Sequence, residues 1–258
     1  MPKAKKSLGQ NFLIDPSIVN EILRHVNPDS SNKFLEIGPG KGAITERLVD
    51  SVDEIHAVEV DSGLLKNLSR IKNNSNFYLH NKSILDFEPS EIGDKNLRVV
   101  GNLPYNISTP VLFHLLKFYE KIEDMSFMLQ LEVVERMAAD VGDKDYGRLS
   151  LMLQYFCRAE KLFNVPPQAF TPQPKVNSAI VRLTPYPEPP VKAKNVECLK
   201  LVVRTAFNQR RKTLKNSLKT LISEDALSDL TINMKLRPEN LSLTDYVKIS
   251  DAISFLAN

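Results

Sequence analysis

Short apolar runs alternate with stretches of helical spacing along the first two-thirds of the chain. Apolar runs that are rich in β-branched side chains and bounded by turn residues predict strands. The predicted strands are Lys33–Ile37, Glu54–Val60, Asn76–His80, Leu97–Gly101 and Met125–Leu131. The predicted helices between them are Ala43–Val49, Ser62–Ile71 and Pro110–Tyr119. Strands separated by helices predict an α/β fold, in which a parallel sheet carries helices on both faces.

The pattern changes towards the C-terminus. Two further strands, Lys161–Val165 and Ser178–Thr184, are expected to form an antiparallel, hairpin-like edge. A proline-rich run at 185–190 then predicts a stiff linker, because proline is excluded from helix interiors and central strands. Only helical spacing follows, over Val196–Phe207, Arg210–Ile222, Glu224–Leu230 and Leu243–Leu256. We therefore expect an α/β domain over residues 1–184 and a small all-helical domain over 185–258.

Composition argues against several classes of protein. The apolar fraction of 42% and the charged fraction of 25% are ordinary for a soluble globular protein. No uncharged apolar run approaches the ~18 to 20 residues that span a bilayer, and no secretory signal follows the basic N-terminus. With two cysteines, and four histidines that lack metal-ligand spacing, a disulfide framework and a zinc site are disfavoured. We expect a cytoplasmic monomer that binds neither metal nor membrane.

Positive charge is concentrated near the C-terminus. The chain carries a net charge of +3, but residues 185–258 contain 12 Lys and Arg against 8 Asp and Glu. Segment 204–219 has no acidic residue and holds the cations Arg204, Arg210, Arg211, Lys212, Lys215 and Lys219. On one helix, Arg211, Lys215 and Lys219 would share a face. Cations without acidic partners indicate contacts with phosphate groups, and a solvated helix face is the alternative.

Three of the nine glycines lie within five residues, in Gly38-Pro-Gly40-Lys-Gly42. They follow a predicted strand and precede a predicted helix, where the backbone can approach a ligand closely and free N–H groups are available. Glu59 follows Gly38 by 21 residues, at the end of the next strand, where a carboxylate can accept both hydroxyls of a ribose. Gly38, Gly40 and Glu59 therefore predict a nucleoside or nucleotide site, and a tight turn without a ligand is the alternative.

The glycine turn alone fits both NAD and S-adenosylmethionine. A Walker P-loop is excluded, because Leu35 stands where that motif needs glycine. Pro39 removes an N–H that a pyrophosphate would use, which favours S-adenosylmethionine. Asp86 follows the third strand, where a carboxylate can accept the amine of an adenine. A turn aspartate is the alternative reading of Asp86.

The segment Asn102-Leu103-Pro104-Tyr105 ends the fourth strand, at the sheet edge where ligands bind. Methylation of a nucleobase amine requires its nitrogen, whose lone pair is delocalised into the ring, to be turned towards the methyl donor. The Asn102 oxygen and the Leu103 carbonyl can accept the two hydrogens of such an amine. Pro104 fixes the local backbone and Tyr105 can stack on the base. The segment predicts N-methylation, and a strand-to-loop turn with a buried tyrosine is the alternative.

In this order, these motifs resemble the ribosomal RNA adenine dimethyltransferases, and most of all the bacterial small-subunit members of that family. The resemblance runs nearly end to end and includes Lys6–Leu13, Phe170–Ser178 and Arg237–Leu241. It departs at Gln173 and Pro238, away from the chemistry. It implies a Rossmann-like, S-adenosylmethionine-dependent methyltransferase sheet followed by a small helical domain that binds RNA.

The resemblance also implies roles for single residues. Cofactor contacts are implied for Asn11, Leu13, Gly38, Glu59, Asp86 and Asn102. Asn102 and the Leu103 carbonyl would hold the target amine, and Tyr105 and Phe170 would sandwich the adenine. The implied reaction places two methyl groups on each of two adjacent adenosines, in a hairpin near the 3′ end of the small-subunit RNA. The implied partner is an immature small ribosomal subunit.

Three other functions stay open from the sequence. One is an assembly factor whose binding to the ribosomal subunit, rather than methylation, is primary. Another is a large-subunit rRNA adenine methyltransferase that confers antibiotic resistance, and the third is a DNA adenine methyltransferase.

Overall fold

The computed structural model describes residues 4–71, 74–93, 95–223, 230 and 232–256. The strands in these ranges are β1 Phe12–Leu13, β2 Lys33–Ile37, β3 Glu54–Val58, β4 Phe77–His80, β5 Leu97–Asn102, β6 Ile122–Gln130, β7 Cys157–Val165, β8 Phe170–Thr171 and β9 Ser178–Pro185. The α-helices are α1 Pro16–Val26, α2 Thr45–Leu48, α3 Leu65–Leu68, α4 Ser108–Leu115, α5 Leu131–Met137, α6 Arg148–Phe156, α7 Val196–Asn208, α8 Leu214–Leu218 and α9 Leu243–Leu256. Short 3₁₀ helices cover Lys6–Leu8, Ser62–Leu64, Ile84–Asp86, Pro89–Glu91, Leu116–Lys121, Pro167–Ala169 and Pro238–Asn240.

Seven strands form one mixed sheet in the order β4-β3-β2-β5-β6-β9-β7. The pairs β2–β3, β2–β5, β3–β4 and β5–β6 are parallel, and β9 runs antiparallel to β6. From β2 the chain adds β3 and β4 on one side, and then β5 and β6 on the other. Because the order reverses between β2 and β5, the carboxyl ends of these strands leave a crevice, which is where sheets of this type bind ligands.

Every predicted strand is present, with its ends shifted by up to a few residues. The two late strands lie side by side at one edge, β9 next to β7. β9 also runs antiparallel to β6, which joins this edge to the parallel strands and makes the sheet mixed. The sequence did not predict the two-stranded sheet β1–β8, because strands of two residues are too short for an apolar alternation to mark them.

The predicted helix Arg210–Ile222 is wrong in its first and last turns. Residues 209–212 form a turn after α7, and the extended backbone of Thr213, with φ −67° and ψ 159°, precedes α8. Helix α8 then covers only Leu214–Leu218. Most of the predicted helix Glu224–Leu230 lies outside the described residues.

The chain divides into two compact units. One consists of residues 1–134 and 160–185, and the other of residues 135–159 and 186–258. The later boundary falls at the predicted proline-rich linker. The sequence analysis counted residues 135–159 with the α/β domain, whereas in the structure α6 packs on α7 and α9. Long-range packing of one helix is the reason for this difference, and no local pattern marks it.

Arg98 connects the sheet of the first unit to the end of α1. Its side chain is buried and makes a bidentate pair with Asp124, from Nε to Oδ1 at 3.0 Å and from Nη2 to Oδ2 at 2.7 Å. The same guanidinium donates to the carbonyl oxygens of Val26 at 2.7 Å and Asn27 at 3.3 Å. One buried cation therefore satisfies a carboxylate on β6 and the last carbonyls of a helix.

We expect Arg98→Ala to lower the free energy of unfolding by about 3–5 kcal/mol, because it leaves Asp124 poorly solvated and without its cation. Urea unfolding followed by circular dichroism measures this. The matched control is Arg24→Ala, which removes an exposed pair with Glu21 on α1 and should leave the free energy of unfolding nearly unchanged. Equal losses in the two variants would contradict the role of Arg98 as a buried clamp.

Candidate active site

One cavity of about 240 Å³ lies at the carboxyl ends of the central strands. Its walls combine three segments that are distant in sequence: residues 8–13, the glycine turn at 38–41, and residues 102–107 after β5. Parallel pairing of β2 with β5 brings Ile37 opposite Gly101, so the turns that follow the two strands begin side by side. The predicted cofactor motif and the predicted methylation motif therefore share one cavity.

The glycine turn depends on residues without a side chain at Gly38 and Gly40. Both have positive φ, +65° and +59° respectively. A Cβ on Gly40 would also lie 3.2 Å from the Phe12 ring, which covers the turn. Any other residue at position 40 would strain the backbone and displace Phe12. The turn that the sequence predicts to hold a cofactor therefore forms a close-packed wall of the cavity.

Glu59 is buried, and backbone groups hold both of its carboxylate oxygens. Oε2 accepts from the Gly40 N–H at 3.2 Å, and Oε1 accepts from the Asp61 N–H at 2.8 Å. Burial raises the pKa of Glu59, and these backbone hydrogen bonds oppose that effect. The result is a carboxylate held in one orientation at the cavity wall, with acceptor capacity left on each oxygen.

Glu36 also lines the cavity, and the sequence analysis did not select it. Its side chain is 2% exposed, and Oε2 has no hydrogen-bond partner among the described residues. Burial raises its pKa to about 7. The signal that could have identified Glu36 is an acidic residue inside the apolar strand β2, since a buried carboxylate oxygen without a partner is costly unless it serves a ligand.

Asn102 has its amide orientation set by the N-terminal segment. Its Nδ2 donates to the backbone carbonyl of Asn11 at 2.8 Å. The opposite orientation would bring the Asn102 oxygen against the Asn11 oxygen, which is repulsive. Oδ1 is therefore the end of the amide that remains available as an acceptor for a ligand.

Tyr105 lines the cavity and is tied to the sheet through its hydroxyl. Its Oη lies 2.7 Å from Oγ of Ser178, a buried residue on β9. Partial burial raises the pKa of Tyr105, so the phenol stays neutral and hydrogen-bonded near neutral pH. The hydrogen bond fixes the direction of the ring.

Two predicted site residues do not line the cavity. Phe170 is 1% exposed and pairs with Leu13 in the small sheet β1–β8, within the hydrophobic core. Asp86 is exposed at the end of a 3₁₀ turn, although Ser83, Ile84 and Leu85 before it do line the cavity. Stacking of Phe170 and adenine recognition by Asp86 stay predictions. The other predicted contacts, Asn11, Leu13, Leu103 and Pro104 among them, all lie on the cavity wall.

Gly101 was also missed by the sequence analysis. A Cβ at this position would lie 2.6 Å from the carbonyl oxygen of Ile37, so the two central strands need glycine here to keep their spacing. A glycine inside a predicted strand is the signal, since it often marks a close approach of another backbone.

The predicted RNA-binding cations all belong to the second unit. Arg204, Arg211, Lys212, Lys215 and Lys219 are exposed, whereas Arg210 is partly buried and donates to the Lys144 carbonyl at 2.5 Å. The expected common helix face is wrong, because Arg211 precedes α8 and Lys219 follows it. Burial, and then the charge of Arg204, lower the pKa of Arg148. Arg148 is therefore close enough to Arg204 to belong to this basic group.

Two kinds of feature are absent from the described ranges. No helix there combines the length and apolarity that crossing a bilayer requires. No cluster of three or more His, Cys, Asp or Glu side chains in those ranges is arranged to hold a metal ion.

The strand order and the position of the cavity define a Rossmann-like, S-adenosylmethionine-dependent methyltransferase fold. A dimethyladenosine transferase from Plasmodium falciparum superimposes with a TM-score of 0.80, at 26% identity over 92% of this chain and 95% of that one. The 23S rRNA methyltransferase ErmE shares the fold with a TM-score of 0.71, at 24% identity over 95% of this chain and 100% of that one.

Sequence comparison gives the family. A sequence model of the ribosomal RNA adenine dimethylase family matches residues 1–254. Proteins named "Ribosomal RNA small subunit methyltransferase A" from Pseudomonas savastanoi pv. phaseolicola and Dechloromonas aromatica are 51% and 49% identical, over 98% and 97% of this chain and 95% and 98% of theirs. The chain belongs to the ribosomal RNA adenine dimethylase family and is an rRNA adenine dimethyltransferase, which confirms the resemblance seen in its motifs.

Tyr105→Phe and Ser178→Ala remove the same hydrogen bond from opposite ends. If the ring stacks on the target base, each variant should lower kcat/KM by roughly twofold to tenfold, and the double variant should be no worse than either single one. Steady-state methyl transfer measures this. Tyr78→Phe, on the exposed edge strand, is the control and should leave kcat/KM unchanged. Additive losses in the double variant would show that the two groups act separately.

Proposed function

We propose that this enzyme dimethylates N6 of two adjacent adenosines, in a hairpin near the 3′ end of small-subunit ribosomal RNA, with S-adenosylmethionine as methyl donor. The family supports the reaction. The names of full-length relatives at about 50% identity support the small subunit as the substrate. One observation carries the chemistry: Asn102 and Leu103 line the same cavity as the glycine turn and Glu59.

The residues present fit a nucleoside that bears an amino acid. Glu59 offers a carboxylate, held by two backbone N–H groups, for the ribose hydroxyls. The unpartnered Oε2 of Glu36 can accept from an ammonium group. Val60 and Leu85 line the cavity yet are 54% and 41% exposed, which suits apolar walls that a planar base covers. When bound, the cofactor supplies a methyl group on a sulfonium centre.

The target amine would be held by acceptors from β5 and the residue after it. The Asn102 oxygen and the Leu103 carbonyl accept the two N6 hydrogens, which turns the nitrogen lone pair out of the plane of the base. Tyr105, tied to Ser178, fixes the plane of the base by stacking. The nitrogen becomes acidic once it is alkylated, so its proton passes to solvent without a dedicated base. A singly methylated amine keeps one hydrogen, and one of the two acceptors suffices for it.

The second unit would bind the RNA. Its exposed cations Arg204, Arg211, Lys212, Lys215 and Lys219 are suited to phosphate contacts, as are Arg210 and the neighbouring Arg148. Because the substrate would be a ribosomal particle, we expect the enzyme to act as a monomer on an immature small subunit in the cytoplasm. None of these cations lines the cavity, so a variant that loses methylation should still bind RNA, as a second role in subunit assembly would require.

The decisive experiment is methyl transfer from labelled S-adenosylmethionine to small ribosomal subunits that lack the modification. Large subunits and duplex DNA are assayed in parallel, and nucleosides are identified by mass. We expect N6,N6-dimethyladenosine from the small subunit only, and a loss of at least about a hundredfold in Asn102→Ala. Retained subunit binding by Asn102→Ala would support the separate assembly role.

Each other outcome contradicts part of the proposal. Label in the large subunit alone would make the enzyme a large-subunit methyltransferase. Methylation of the duplex DNA would show that the enzyme is not specific for RNA. An unmethylated small subunit that still binds the protein would leave only the assembly role.

The raised pKa of Glu36 leads to a separate prediction about proton release on ligand binding. Its pKa of about 7 means that a large part of the carboxyl is protonated near neutral pH in the free enzyme. A bound ammonium group favours the ionised form, so binding of S-adenosylhomocysteine at about pH 7 should release up to about half a proton from this group. The release should vanish well above pH 7, where the carboxyl is already ionised.

Calorimetry in two buffers of different ionisation enthalpy measures this release. Glu36→Gln should reduce it, although Glu59, whose pKa is also raised, can contribute a remainder. The control is Glu46→Gln on α2, which replaces an exposed carboxylate that pairs with Arg70. Equal release from wild type and Glu36→Gln would show that Glu36 does not face the ammonium group.

A further inference from the structure

Residues 5–13, which we term the strap, form one wall of the cavity. Residues 8–13 of the strap all line it. The base of the strap is held by backbone pairing, since Phe12 lies opposite Thr171 and Leu13 opposite Phe170. The Ile14 N–H then donates to the Ala169 carbonyl at 2.9 Å. Backbone hydrogen bonds thus hold the chain where it leaves the cavity.

The middle of the strap sets the orientation of Asn102. The Asn11 carbonyl accepts from Asn102 Nδ2, and this contact directs the amide oxygen away from the strap. The contact joins residues that are 91 positions apart in the chain. The orientation of the Asn102 amide is therefore only as well defined as the position of the Asn11 carbonyl.

The tip of the strap is anchored on Asp61. Lys5 Nζ lies 2.6 Å from Oδ1, and Gln10 Nε2 donates to Oδ2 at 2.9 Å. Gln10 Oε1 in turn accepts from the Lys5 backbone N–H at 2.8 Å, so both ends of the Gln10 amide are used. The Asp61 carboxylate therefore binds both the Lys5 ammonium and the Gln10 amide, which lie on either side of the 3₁₀ turn Lys6–Leu8.

Asp61 is itself fixed. Its side chain is 3% exposed, and Oδ1 also accepts from the Gly63 N–H at 2.9 Å. Its own N–H donates to Glu59, whose other oxygen accepts from Gly40. Hydrogen bonds therefore connect the glycine turn, Glu59, Asp61 and the strap, and the strap contacts Asn102.

We infer that Asp61 is a positioning residue for methyl transfer: it holds the strap so that the Asn11 carbonyl orients the Asn102 amide towards the target amine. This inference rests on the proposed function, because the amine that Asn102 receives belongs to the RNA substrate. Asp61 contacts neither substrate nor cofactor in this arrangement. It acts through Lys5 and Gln10 on the backbone that Asn102 contacts.

Asp61→Asn tests the inference with little change of shape. An amide can still accept from Gly63, but it loses the charge opposite Lys5 and brings an NH₂ group against the NH₂ of Gln10. We expect kcat to fall by about tenfold or more, since a misplaced acceptor costs at least this much. The affinity for S-adenosylhomocysteine should change by less than about threefold, because Glu59 and the glycine turn keep their own contacts.

Asp29→Asn is the matched control. Asp29 makes the same kind of turn, in which Oδ1 accepts from the Ser31 N–H at 2.8 Å, but it is exposed and does not line the cavity. This variant should keep the kcat of the wild type. Deuterium exchange should show faster exchange in residues 5–13 of Asp61→Asn and unchanged exchange there in Asp29→Asn.

Gln10→Glu provides a pH readout and leaves Asp61 in place, so it serves even if Asp61→Asn folds poorly. The introduced carboxylate repels Asp61 when both are ionised, whereas its protonated form can donate as Gln10 does. The kcat of this variant, relative to the wild type at the same pH, should therefore rise as the pH is lowered.

Either of two activity measurements would overturn the inference. One is a kcat within twofold of wild type in Asp61→Asn while the strap exchanges freely. The other is a loss of activity in Gln10→Glu that does not depend on pH. If the wild type methylates neither subunit, the proposed function fails, and unchanged exchange of the strap in Asp61→Asn would still refute the anchor by itself.

Discussion

The parallel pairing of β2 with β5 is the constraint on which the site depends. Ile37 and Gly101 lie opposite each other at the ends of these strands, and the strand order reverses between them. The glycine turn and the Asn102 segment consequently leave the sheet at neighbouring points but belong to different halves of the fold. Gly101 makes the close spacing possible, because any side chain there would collide with the Ile37 carbonyl. A methyl donor and a methyl acceptor need such a shared edge, since the reacting atoms must meet.

The electrostatic character of the site comes from three buried acids, of which Glu36 and Glu59 line the cavity. Glu36, Glu59 and Asp61 are each 5% exposed or less. Their pKa values are shifted in opposite directions. Burial raises the pKa values of Glu36 and Glu59, whereas the hydrogen bond from Lys5 lowers that of Asp61. Such a cavity favours a ligand with positive charge, and the sulfonium and ammonium groups of the proposed cofactor match it. Lys5 of the strap already balances the charge of Asp61, so Asp61 stabilises the strap rather than binding a ligand.

The errors of the sequence analysis share a physical cause. The pattern of residues 210–222 suits a helix, yet the chain turns at 209–212 and Thr213 starts α8 in extended conformation, where the Leu214 N–H meets the Leu236 carbonyl. A contact with a distant backbone overrides local propensity there. The assignment of 135–159 fails to match the compact units for a related reason, because packing of α6 on α7 and α9 is not encoded in its own pattern.

What the sequence determined by itself is local or carried by motifs. Apolar runs located the strands, and the order of the glycine turn, Glu59 and Asn102 indicated the chemistry. What only the tertiary structure decided is which groups meet: the strap with Asp61, Asn11 with Asn102, Tyr105 with Ser178, and Glu36 with the cavity. The physical reason is that periodicity and motif spacing reflect interactions between near neighbours in the chain. Hydrogen bonds between residues 51 to 91 positions apart exist only after the sheet has brought the strand ends together.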